Sequence, residues 1–141
     1  MPGPRGGIAI SGVTRVRKVT LSHTQFQTAG LTNNITLLTL APNEMVKSVT
    51  MRHSAAFVGG VISAYSLSVG IAGNLTKYMA VKDVFTAATD TLFYGALAAA
   101  NAVESFGNAV ALKISAISVG ANLNASTAGS VDVWIETIQL P

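Results

Sequence analysis

The chain has no cysteine. Disulfides, thiolate metal sites and cysteine nucleophiles are therefore excluded. Histidine is almost as scarce: only His23 and His53 occur, without the His-x-x-x-His spacing that zinc sites use. Charge is thin as well, at 11% of residues, against about a quarter in a typical soluble domain. No Gly-x-Ser-x-Gly elbow and no phosphate-binding P-loop is present. A glycosidase needs two carboxyls at a defined separation, and nothing in the spacing of Asp83 and Asp90, or of Asp132 and Glu136, singles out such a pair. Asp132 follows the loop holding Asn122 and Asn124, where Asx turns account for those side chains better than a calcium site does. These absences predict a protein that is not an enzyme and carries neither metal nor cofactor.

What remains is apolar and hydroxyl-rich. Hydrophobic residues make up 50% of the chain, so much of the polar surface must come from Ser, Thr and Asn. Such a quiet surface suits a protein whose faces are covered by neighbours. The 141 residues are enough for one domain with a substantial core.

A long uncharged run lies between Arg52 and Lys77 if His53 is neutral, and it contains AYSLSVGI, residues 64–71. A membrane helix needs about 20 predominantly apolar residues; here Gly59, Gly60, Gly70 and Gly73 interrupt the run. Within AYSLSVGI, the large residues Tyr65, Leu67, Val69 and Ile71 alternate with Ala64, Ser66, Ser68 and Gly70. That period of two predicts a strand with one large and one small face, and no membrane span.

The same signals recur along the chain. VTRVRKVTLSH is rich in β-branched residues, with Val19 and Leu21 on one face. After the polar bridge TQFQTAGLTNN, ITLLTLA is a second strand, closed by a turn at Pro42-Asn43-Glu44. MVKSVTMRH, AYSLSVGI, LTKYMAVKDVF (with Leu75, Met79, Val81 and Phe85 as apolar members), TLFYG, AVALKISAISV and SVDVWIETIQL complete the series. In the last, Val131, Val133 and Ile135 oppose Asp132, Trp134 and Glu136. ALAAANAVE is the single helical window, because alanine is the best helix former. About eight short strands with regular turn signals predict an all-β, antiparallel β-sandwich or jelly-roll-like domain over residues 13–141, with at most one short helix.

Residues 1–12, MPGPRGGIAISG, hold two prolines and four glycines and predict an extended N-terminal arm. The opening lacks the charged and apolar regions of a secretory signal. Positive charge gathers early, on Arg5, Arg15, Arg17, Lys18, Lys47 and Arg52 against Glu44 alone; beyond His53 acids outnumber lysines. This polarity favours head-to-tail packing or a negatively charged partner. The cluster Arg15-Val16-Arg17-Lys18 is short and lacks interleaved aromatics, so direct nucleic-acid binding is not expected.

Residues 84–140 resemble the closing half of small all-β virion proteins of tailed bacteriophages. The sharpest piece runs from Asn122-Leu123-Asn124 through Thr127-Ala128-Gly129 into Val131–Glu136, ending Val-Asp-Val-Trp-Ile-Glu. The resemblance implies a capsid-associated role in the virion, made in the host cytoplasm: a decoration (cement) protein, or a related head or tail component. It implies a homo-oligomer, expected as a trimer, that also contacts the major capsid protein. The residues expected to carry assembly are Pro2, Pro4 and Arg5 in the arm, Arg15, Arg17 and Lys18 beside it, and Trp134 as an anchor. The alternative is a receptor- or carbohydrate-binding module of a tail fibre, with Trp134 or a tyrosine exposed beside the Asn-rich loop.

Overall fold

The computed structural model describes residues 13–95 and 106–141. The arm, 1–12, and the alanine-rich window, 96–104, lie outside the described residues. The β-branched run Val13–Ser22 forms β1, and a single helical turn, α1 (His23–Phe26), follows. Then come β2 (Thr32–Leu40), β3 (Glu44–Val58), β4 (Ala64–Ile71) and β5 (Asn74–Asp83). The short β6 (Leu92–Tyr94), β7 (Val110–Val119) and β8 (Ala128–Gln139) complete the set.

The pairing is nested. First pairs with last: Val13 lies opposite Gln139 and Ser22 opposite Ser130. Inside that pair β2 runs against β7, β3 against β6 and β4 against β5, all antiparallel. Two further pairings, β3 with β8 and β4 with β7, join these ribbons into two four-stranded sheets, β1-β8-β3-β6 and β2-β7-β4-β5. A chain doubled back on itself and then rolled in this order is a jelly roll, the fold that the turn spacing pointed to.

Alternation decides what lies between the sheets. Val131, Val133 and Ile135 of β8 and Val46, Val49 and Met51 of β3 are buried on one side of the core, with Val49 opposite Ile135 and Met51 opposite Val133. Tyr65, Leu67 and Val69 of β4 are buried from the other sheet. One end of the core is aromatic: Phe57 has its ring 4.8 Å from Tyr65 and 5.9 Å, edge-on, from Phe26. Gly129 lets β8 approach there. Its φ is +143°, and a Cβ would stand 2.5 Å from the Phe57 ring.

Two details differ from the sequence reading. The polar bridge after β1 contains α1, whose Phe26 is fully buried; the Gln25 side-chain carbonyl accepts the Ser22 N–H at 2.7 Å and holds the turn. In β5, register shifts against β4 break the alternation. Adjacent Tyr78 and Met79 are both buried, while Val81 is exposed, which is what an extra residue in one strand of a pair does.

Candidate interaction surface

The outer face of the β1-β8-β3-β6 sheet gathers aromatic, cationic and carboxylate side chains. Strand alternation sends Val16, Lys18 and Thr20 of β1 outward, with Asp132, Trp134 and Glu136 of β8 and Ser48, Thr50 and Arg52 of β3. Register lines them up in rows. Lys18, Trp134, Thr50 and Tyr94 form one row across the four strands, and Thr20, Asp132, Arg52 and Leu92 form the next. Small side chains on β3 lie between large ones on its neighbours. The result is a groove of about 400 Å³, floored by Ser48 and Thr50 and walled by Val16, Trp134, Glu136 and Leu92.

Electrostatics fix the wall around Trp134. The Lys18 ammonium lies 5.4 Å from the indole centroid and the Arg52 guanidinium 5.6 Å, both within cation–π range. Asp132 ties these cations down. It accepts from the Thr20 hydroxyl at 2.6 Å and from Arg52 Nη2 at 3.3 Å, with Lys18 Nζ at 3.8 Å. The Thr20 hydrogen bond, against the opposing effect of burial, and the two cations together hold the Asp132 carboxyl below its ordinary range. Glu136 is different. It accepts only a long bond from the Ser48 hydroxyl, 3.4 Å, and has no cationic partner among the described residues.

The residues singled out from sequence separate here. Pro2, Pro4 and Arg5 lie outside the described residues. Lys18 and Trp134 meet on the outer face. Arg15 and Arg17 point the other way, because neighbours in a strand alternate. Arg17 forms an ion pair with buried Glu44. Arg17 and Lys18 are therefore not one basic cluster. Asp132 and Arg52 are not among the residues expected to carry assembly: only the β3–β8 register brings them together, and register is invisible in one strand's pattern. Trp134 is also not beside the Asn-rich loop. Five residues, about 17 Å of strand, separate it from Gly129.

Elsewhere, His53 is buried, stacked at 5.7 Å on Phe93, with Nε2 donating to the Ala87 carbonyl at 3.1 Å. Asp83 caps its own turn, accepting from the Phe85 and Thr86 N–H groups. No three His, Asp or Glu side chains converge among the described residues. No helix among them is long and apolar enough to cross a membrane.

Among the described residues, the strand order and the grooved outer sheet define an eight-stranded jelly roll of the kind found in viral coats and lectins. Similar folds occur in solved phage capsids. A chain in the cyanophage Pam1 capsid asymmetric unit matches with a TM-score of 0.63 at 20% identity, over 99% of this chain and 92% of that one. A chain in the capsid of Ralstonia phage GP4 gives 0.61 at 13% identity, over 98% and 89%. One in the acid-stable capsid of Helicobacter pylori bacteriophage KHP30 gives 0.55 at 14%, over 91% and 89%. At these identities the likeness is one of fold. No protein-family model and no curated protein matches the chain.

Proposed function

We propose that this protein is a non-enzymatic structural component of a phage virion, a decoration (cement) protein that self-associates as a trimer and binds the major capsid protein. One observation carries the reading. The chain shares its whole fold, nearly end to end, with chains built into three phage capsids, and each of those is covered to about nine-tenths of its length. The likeness is thus between small jelly rolls of similar size, not with one domain of a larger coat subunit. Low charge, an aromatic groove on one sheet face and the Pro/Gly-rich sequence of residues 1–12 support a molecule that works by burying surface.

The test is the mass of the purified protein in solution, followed by electron microscopy of capsids with and without it. A trimer that adds regular density to the capsid surface is expected. A monomer that leaves capsids undecorated overturns the proposal. The carbohydrate-binding alternative is less well supported: Trp134 already has Lys18 and Arg52 against its ring and lies well away from the Asn-rich loop.

A further inference from the structure

The groove on the β1-β8-β3-β6 face is unfilled by the described residues, although it presents large apolar side chains to solvent. Val16 is 63% exposed and Tyr94, beside the groove, also 63%. Its chemistry is specific: an aromatic wall at Trp134, apolar flanks at Val16 and Leu92, and a single carboxylate, Glu136, without a cationic partner among the described residues. The twelve residues before Val13 have the complementary chemistry. They carry Pro2 and Pro4, which suit aromatic-lined grooves, Ile8 and Ile10 for apolar flanks, and Arg5 as their only charged side chain.

We propose that the groove formed by Val16, Ser48, Trp134, Glu136 and Leu92 receives residues 1–12 of a second copy of the chain, with Arg5 pairing Glu136. This rests on the reading that copies of the chain associate. Exchange between copies follows from how β1 begins. It is hydrogen-bonded to the end of β8 from its first residue, Val13 opposite Gln139, so its line continues off the end of the sandwich. The groove lies behind that point, over Ser48 and Thr50, and reaching it within one copy requires a reversal. Twelve residues extend about 40 Å, enough to span to a neighbour.

The absence of cysteine makes a clean test. Full-length Gly6→Cys and full-length Ser48→Cys are prepared separately, mixed and oxidised, and disulfide-linked dimers are scored on a non-reducing gel. Gly6→Cys mixed with Val61→Cys, a solvent-exposed site between β3 and β4, is the control. The expected yield for the Ser48 pair is at least about tenfold above that control, because a docked arm raises the local thiol concentration. Arg5→Glu in the arm lowers the yield about threefold, and Glu136→Arg in the receiving copy restores it. A bridge formed only within one chain carrying both cysteines overturns the exchange between copies. No bridge while the wild-type protein is oligomeric overturns the groove assignment and leaves the assembly reading standing. No bridge with a monomeric wild-type protein overturns both.

Discussion

Arg17 and Glu44 stand on strands that do not touch, β1 and β3, yet their side chains form an ion pair across the intervening β8. The carboxylate is buried and fully engaged: it also accepts the Thr137 hydroxyl and the Ala41 N–H, the latter at 2.9 Å. Burial works against ionisation, but these bonds and the charges of Arg17 and Arg15 outweigh it and hold the Glu44 carboxyl below its ordinary value of 4.5.

A carboxyl with a depressed folded-state value stabilises the fold above its unfolded value and loses that contribution as pH falls through the folded one. Glu44→Gln should therefore cost about 2 kcal/mol at neutral pH, where a buried charge network is broken. The gap to wild type should close as the pH drops below 4.5. Melting temperatures of both proteins between neutral pH and about pH 3 check this; a gap of constant size rules the mechanism out.

Trp134 and Phe57 are predicted to behave oppositely. Phe57 is fully buried against Phe26 and Tyr65, so Phe57→Ala should cost about 4 kcal/mol. Trp134→Ala removes contacts with Lys18 and Arg52 on an outer face and should cost about 1 kcal/mol, while abolishing self-association. Urea unfolding gives the first difference and solution mass the second. A Trp134→Ala protein that assembles normally removes the indole from the proposed interface.

The Tyr65 hydroxyl is buried and has no hydrogen-bond partner among the described residues. Burial pushes its phenol well above the ordinary value. Tyr65→Phe keeps the ring against Phe57 and deletes the orphan group, so it should stabilise the fold by about 1 kcal/mol, or about 3 °C in melting temperature. A drop in melting temperature would show that the hydroxyl has a partner after all.

Gly129→Ala should be among the most damaging single substitutions. The new methyl would meet Phe57 ring and backbone atoms at 2.5–2.9 Å, at a φ that L-residues rarely adopt. A loss of about 3 kcal/mol or more is expected, read from thermal unfolding. Gly73→Ala offers a comparison: its φ is also positive, at +89°, but nothing lies within 4 Å, so strain alone should cost about 1 kcal/mol.

Legibility from sequence followed the strength of the period-two pattern. AYSLSVGI became β4 to the residue, since large and small side chains alternate there without a break. SVDVWIETIQL placed Asp132, Trp134 and Glu136 on one face, as β8 does. Failures came where pairing overrode pattern. The shifts between β4 and β5 reversed the fates of Tyr78 and Val81. Glu44 read as a turn residue because Pro42-Asn43 precede it, whereas it opens β3 and turns inward. Half of the candidate surface was visible as Lys18 and Trp134. The other half, Arg52, Thr50 and Leu92, arrives through register with strands distant in sequence, which no local window reports.

The nesting of first strand with last has a consequence for biosynthesis. While the chain emerges from the ribosome, Val13–Ser22 has nowhere to settle until residues 130–139 have been made. Lys18, Trp134 and Thr50 become adjacent only at that moment. Slow, non-local closure of this kind exposes the nascent chain for longer. It also means that a chain cut short before β8 lacks the Lys18–Trp134–Thr50 row and leaves its outer sheet face unfinished.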